Sequence, residues 1–418
     1  MKGPFVAACI TALGLGAGAC GGSSPSGFAT TGMPGIPSPA RIGANLVLAE
    51  VDVNGQSGPL LLVDTGSPFT LIDPSQYPAI SFPTAPQISV DLTFGVFTVE
   101  KVPAIQTNFL DSSNVPEIVG GNLMRQFPVQ IDYSERDPSR AFRLGASNMT
   151  ATGVEMPGGT VMFTLQGGGR GPISDVTQTI VSTPATRIPL TVDIEGTSSP
   201  CILDTGASEV TVRQAVFDML TADGRAQLAG LPIGTAMGPA DAHVTRAKTV
   251  TLAGQTVTNP AVMTIGDTGE TLLDALSREI GHPVNCLLGG SYLREFLVTI
   301  DYPNGTLQLQ RYSPPLAIED EFKRVGIEIG PGTGGHGYAV AVVYPGTDAA
   351  AKMLSVGDEI LSIDGQSLAS LDAIQVDDAL DGMVGTTKQL GLGATKIPAL
   401  TNTTITVMVD DLIPAPSP

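Results

Sequence analysis

The chain has 418 residues, enough for two or three domains with cores of their own. Only 15% of the residues are charged and the net charge is −19, which argues against nucleic acid or an anionic membrane surface as a ligand and leaves solubility as the plain meaning of the charge. The 50 glycines and 33 prolines, beside many Thr and Val, favour short strands and turns over long helices. The histidines are His243, His282 and His336, and their spacing makes no metal site. No Ser–His–Asp order and no phosphate-cradling glycine loop with a lysine is present, so neither a metal nor another cofactor is expected.

At the amino terminus, Lys2 is followed by an apolar run from Phe5 to Leu15 that is too short to span a bilayer. Ala17-Gly18-Ala19-Cys20 comes next and is similar to the lipobox of bacterial lipoproteins, which implies lipidation of Cys20 as the first mature residue. Ala17 stands where that motif usually has Leu, and Ala17-x-Ala19 also fits an ordinary signal-peptidase site. Residues 1–19 therefore read as an export signal and 20–40 as a Gly/Ser/Pro tether. The expected location is the bacterial cell envelope, with a lipid anchor and the chain facing the periplasm or the cell surface.

Two similar halves follow. Val51-Asp52-Val53-Asn54-Gly55 precedes Leu61-Leu62-Val63-Asp64-Thr65-Gly66-Ser67, and Val192-Asp193-Ile194-Glu195-Gly196 precedes Cys201-Ile202-Leu203-Asp204-Thr205-Gly206-Ala207. Each Asp-Thr-Gly lies where an apolar strand enters a turn, and each has a downstream apolar pair with Gly: Ile118-Val119-Gly120 and Leu287-Leu288-Gly289. Beyond these, Gly121 to Phe127 parallels Gly290 to Phe296, with Asn122 and Ser291 as expected helix N-caps. Then Val129 to Tyr133 parallels Val298 to Tyr302, a strand in each half, with Asp132 and Asp301 expected at exposed strand ends. Asp73 reads as a turn residue before Pro74.

This paired pattern resembles the aspartic peptidases. The resemblance implies two retropepsin-like β-barrel lobes in one chain, residues 41–150 and 186–313, with 151–185 as a linker or interface segment. It implies that Asp64 and Asp204 face each other across a cleft as one catalytic dyad, acting on a protein or peptide substrate. Two carboxylates about 3 Å apart share one proton: the ionised one takes a proton from water, and the protonated one polarises the substrate carbonyl. Thr65 and Thr205 would brace the two loops, Gly66 and Gly206 allow a sharp turn beside each carboxylate, and Ser67 and Ala207 keep the surroundings small, with the Ser67 hydroxyl able to reach a carboxylate oxygen. The strands holding Cys201 and Cys286 would run close together, leaving a disulfide or two buried thiols as alternatives. Asp204 to Gly289 is longer by 29 residues than Asp64 to Gly120, part of the excess falling near Leu231 to Pro239. One flap from the second lobe, near Ile233 to Val244, is expected there, with a plain surface loop as the alternative. The covalent repeat makes pairing of the two lobes within one monomer the expected assembly.

After Pro314-Pro315 the pattern changes. Val356-Gly357-Asp358-Glu359-Ile360-Leu361-Ser362-Ile363-Asp364-Gly365-Gln366 resembles the strand–turn–strand of a bacterial PDZ domain, here over residues 318–412. Such a domain adds an extended peptide to a sheet edge and holds its carboxylate on a loop, which would be Val325, Gly326 and Ile327 with Lys323 or Arg324 nearby. A packing domain with a blocked groove is the alternative. The fold expected is thus mainly β: two acid-protease lobes forming a pseudo-dimer, then a PDZ-like β-sandwich with short helices. The function expected is aspartic endopeptidase activity with a PDZ-like domain that recruits or gates substrate. An inactive lipoprotein scaffold that binds peptides is the other reading.

Overall fold

The structure is a computed structural model that describes residues 7–8, 27–107, 117–134, 141–145, 158–172, 180–235, 238–313, 321–332, 337–371 and 373–417. Cys20 and the cleavage sites considered for the leader lie outside these residues. Ala7–Ala8 pairs in parallel with Gly234–Thr235 at the edge of the second lobe. No helix of the described residues is long and apolar enough to cross a membrane.

Each half builds the same strand arrangement from the same sequence signals. In the first lobe, Leu61–Asp64 pairs in parallel with Glu117–Gly120, and Thr70–Ile72 runs antiparallel to the latter. In the second, Thr197–Leu203 pairs in parallel with Cys286–Leu288, and Val210–Val212 runs antiparallel to it. Apolar residues fill Leu61–Val63, Cys201–Leu203 and Cys286–Leu288 without alternation because both faces are covered there. Leu61 and Val63 point into a large core that continues through both lobes to Leu203, Val298 and Leu309, while Leu62 and Ile118 point the other way, onto Leu46 and Leu48. In the second lobe the equivalent outward pair, Ile202 and Leu287, is covered by Leu231, Ile233 and Leu272, together with Phe322, Tyr344 and Ile413 of the C-terminal domain.

A six-stranded sheet ties the lobes together. Its centre pairs Pro128–Asp132 with Phe296–Asp301, so the two repeat strands read from the sequence are partners across the pseudo-twofold. Gly159–Met162, between the lobes in sequence, closes one edge against Thr306–Arg311. At the other edge Pro37–Ser38 pairs with Phe142–Leu144, and Thr30–Gly32 pairs with Phe97–Gln106 in the first lobe. The end of the expected tether is therefore strand, because backbone amides that reach a free sheet edge are satisfied there. Asp132 is buried rather than exposed, since it accepts hydrogen bonds from Tyr312 Oη at 2.8 Å and Ser134.

The extra length of the second lobe has two sources. One is the hairpin of Leu228–Thr235 and Gly238–Arg246. The other is the helix Gly266–Ile280, which ends on Gly281 in the left-handed conformation and buries Leu272, Leu273 and Leu276. The C-terminal domain is a seven-stranded sheet with Ile327–Pro331 at one edge, around a core that includes Val325, Ile360, Leu390 and Val407.

Cys201 and Cys286 lie opposite one another in the parallel ladder, with Cα atoms 4.5 Å apart, and form a disulfide across a sequence separation of 85. Closing so long a loop restricts the unfolded chain, so Cys201→Ser with Cys286→Ser is expected to lower the unfolding free energy by about 2–5 kcal/mol. Urea denaturation of the two proteins measures this, and equal midpoints would contradict it.

Candidate active site

Each Asp-Thr-Gly turn follows a buried strand and is pinned by the apolar–apolar–Gly strand beside it. Gly120 pairs with Asp64 in the ladder, and a Cβ on Gly120 would lie 2.0 Å from the Phe69 carbonyl oxygen. A Cβ on Gly289 would lie 2.1 Å from the Glu209 oxygen. Glycine is required at both because the following turn crosses directly over the strand. The amide of Gly121 then donates to the Ser67 carbonyl, and that of Gly290 donates to the Ala207 carbonyl, each at 2.8 Å.

The two turns meet at the pseudo-twofold axis. The Thr65 amide donates to Thr205 Oγ1 at 3.1 Å and the Thr205 amide donates to Thr65 Oγ1 at 3.0 Å. Each threonine hydroxyl donates in turn to the opposite strand, Thr65 to the Leu203 carbonyl and Thr205 to the Val63 carbonyl. This reciprocal grip places the carboxyls face to face. An ideal Cβ on Gly66 would be 2.4 Å from Asp204 Oδ1, and one on Gly206 would be 2.5 Å from the Asp64 carboxyl carbon. Any side chain at either glycine would displace the opposing carboxylate.

Asp64 Oδ1 accepts from the Ser67 amide and Asp204 Oδ1 accepts from the Gly206 amide, both at 3.0 Å. The Ser67 hydroxyl does not reach the carboxylate, because it donates to the Phe69 carbonyl at 2.8 Å. Both aspartates are fully buried. Burial drives the Asp64 carboxyl well above its ordinary value, and the adjacent Asp204 charge adds to this. Burial also raises Asp204, to about 6, with the adjacent Asp64 carboxyl and the Gly206 amide opposing it. The pair therefore holds one proton between two carboxyls and titrates as a unit.

Residues 190–292 match the family described as "Aspartyl protease", and residues 316–393 match the PDZ domain. The chain thus resembles an aspartyl protease over residues 190–292 and a PDZ domain over residues 316–393. Among solved structures, the aspartic proteinase from Irpex lacteus aligns with 68% of this chain and 98% of its own length, at 14% identity and a TM-score of 0.42. No curated protein matches the chain.

In the PDZ domain, Val325 and Ile327 are buried in the domain's own core. Gly326 sits against Thr347, and its carbonyl accepts from the Tyr344 amide at 2.9 Å. Arg324 is turned inward, with Asp377 at 2.6 Å, Asp381 at 3.4 Å and Glu328 at 3.5 Å. Asp358 and Asp364 are turn residues that accept backbone hydrogen bonds from Ser355 and Gln389. Asn122 and Ser291 do not cap helices: the Asn122 side chain accepts from the Thr70 amide, and the Ser291 hydroxyl accepts from the Val210 amide. Asp73 does cap the short 3-10 turn Pro74–Gln76. No group of three or more His, Cys, Asp or Glu among the described residues could hold a metal ion.

Three residues of the site escaped the sequence reading. Arg187 is completely buried, its Nη2 atom lies 3.0 Å from Glu279, and its charge pulls both dyad carboxyls downward against the effect of burial. Asn45 and Glu209 form a second buried group behind the Asp204 loop. A charged residue inside an otherwise apolar strand entry, as in Ser208-Glu209-Val210, was the one available signal for this group.

The buried acids set a pH dependence for stability. Glu117 is pushed up to about 7 by burial, although Tyr77 Oη donates to it at 2.6 Å, and Glu328 is likewise raised to about 7 by burial. A carboxyl raised in the folded state binds its proton more tightly there, so its contribution is complete below the ordinary value and is lost as pH climbs through the folded value. Asp223, held down to about 2 by Arg225, acts oppositely, and its contribution is lost on acidification. The melting temperature is therefore expected to fall as pH rises from 4.5 to about 7. Calorimetry across that window checks it, and a rising melting temperature would be the wrong sign.

Proposed function

We propose that the protein is an aspartic endopeptidase whose dyad is Asp64 and Asp204. The observation that carries this reading is the reciprocal Thr65–Thr205 grip, which brings two fully buried carboxyls from separate lobes to one point. The ionised carboxyl removes a proton from water as the water oxygen bonds to the peptide carbonyl carbon. The protonated carboxyl gives its proton to the carbonyl oxygen, forming a neutral diol. When the C–N bond breaks, the amine nitrogen takes a proton from one carboxyl and the diol returns one to the other. The dyad regains its single shared proton, with no covalent intermediate.

For the PDZ domain, gating is better supported than recruitment of a free carboxyl terminus. The guanidinium closest to the expected carboxylate loop is already engaged by three acids. Phe322, Tyr344 and Ile413 share one apolar cluster with Leu231, Ile233, Ala242 and Val244 of the second-lobe hairpin. Arg246 of that hairpin donates to the Ile413 carbonyl at 2.6 Å. The hairpin that would act as the flap is thereby held by the PDZ domain. The envelope location and the lipid on Cys20 belong to the same proposal, and palmitate labelling lost in Cys20→Ala tests them.

The peptidase reading is tested by digesting a peptide library with the full chain across pH and identifying products by mass spectrometry. Internal cleavage is the expected result. Absence of cleavage at every pH overturns it in favour of a peptide-binding scaffold.

A further inference from the structure

Behind the Asp204 loop, three parts of the chain converge on one side chain. Asn45, from the first lobe, donates through Nδ2 to Glu209 Oε1 at 3.3 Å and also to Glu321 Oε1. Its Oδ1 accepts from Arg294 Nη1 of the second lobe at 2.8 Å. Glu209 is fully buried and ends the loop that begins at Asp204, while Glu321 leads into the PDZ domain's first strand, Lys323–Val325, and is itself buried. The backbone of Asn45 lies against Gly290, where a Cβ would come within 2.2 Å of the Asn45 carbonyl oxygen. Gly290 and Ser291 in turn donate their amides to Ala207 and Ser208 of the catalytic loop.

We propose that Glu321 is a positioning residue for the dyad: it holds Asn45 and Glu209, and through them fixes the far end of the Asp204 loop, so the active site is complete only with the PDZ domain docked. This inference rests on the peptidase reading above. Two carboxyls that share the Asn45 amide in a buried site cannot both be ionised at low cost, which favours the protonated form of Glu321. Burial and the Glu209 charge raise Glu321, Asp377 adds to this more weakly, and Arg294 opposes it. Glutamine at position 321 would reproduce the protonated form, accepting from Asn45 and donating to Glu209. Alanine would leave Glu209 and Asn45 without that partner in a buried site.

The test uses the full chain with Glu321→Ala, Glu321→Gln and Asn45→Gly, the last chosen because Asn45 has a φ of 59° that glycine adopts freely. Steady-state kinetics on a cleaved peptide and hydrogen exchange over residues 205–211 are read together. Glu321→Ala and Asn45→Gly are expected to lower kcat by about tenfold or more with KM within about twofold, as misplacement of a catalytic group does. Exchange over 205–211 should rise with them, and Glu321→Gln should restore both readouts. If Glu321→Ala unfolds, Asn45→Gly and Glu321→Gln decide the matter. Wild-type kcat and exchange in Asn45→Gly, or a rise in KM alone, overturns the proposal. A wild-type chain that cleaves nothing defeats the peptidase reading, and the exchange data then judge the positioning by themselves.

Discussion

Asp64→Asn and Asp204→Asn are each expected to lower kcat by at least about a thousandfold, and the double variant is expected to be little worse than either single one. The losses do not add because the chemistry needs two carboxyls sharing one proton, and either amide removes both the shared proton and one acceptor. The fold should survive. The Ser67 and Gly206 amides would still face an oxygen at each position, and the threonine grip does not involve the carboxyls. Neutralising a carboxyl whose burial disfavours its charge should leave stability at neutral pH unchanged or raised. Single-turnover cleavage with thermal melts on the same samples separates chemistry from folding. Full activity in either variant would show that the pair is not the catalytic unit.

Arg187→Met should have the largest effect on stability together with a visible effect on the pH profile. The guanidinium and the Glu279 carboxylate are both buried, at 1% and 6% side-chain exposure, and Arg187 Nε also lies 3.2 Å from both carboxylate oxygens. Removing one partner strands a buried charge, at a cost of about 3–5 kcal/mol. Arg187→Met with Glu279→Met removes both charges and should regain most of that loss. The pH profile should not be regained. Arg187 lowers both dyad carboxyls, so without it both titrate higher and the whole pH–kcat curve moves towards higher pH. The double variant should show this shift in a stable protein. Its absence would mean that Arg187 serves only the packing of the linker, where Gln166 and Arg187 exchange backbone hydrogen bonds.

The two Asp-Thr-Gly turns and their downstream glycines were legible because local chemistry demands them. A strand that ends beside a carboxylate and is crossed by another loop tolerates no Cβ at Gly120 or Gly289, whatever surrounds it. The duplication put one strand of the repeat in each lobe, but that Pro128–Asp132 and Phe296–Asp301 pair with each other was decided only by the fold. The turn signals near Pro232 and Pro239 accounted for part of the second lobe's extra length, while the helix Gly266–Ile280, whose Leu272, Leu273 and Leu276 carry a helical spacing, supplies another part that was not read from the sequence. Asn122 and Ser291 look like caps in sequence, yet each reaches a neighbouring strand's backbone amide that only the folded lobe brings within range.

By itself, then, the sequence determined the duplicated Asp-Thr-Gly halves, the glycines that make room for the two carboxyls and the PDZ-like pattern after them, because each is written in contiguous residues with a fixed local geometry. Tertiary structure alone decided which charges lie near the dyad and what covers the second lobe. Arg187 meets Glu279 across 92 positions, and Asn45 meets Glu321 across 276. Contacts of that kind depend on how whole elements stack and leave no periodic or local trace in the chain. The buried polar groups involved are stable only because their partners arrive from distant segments.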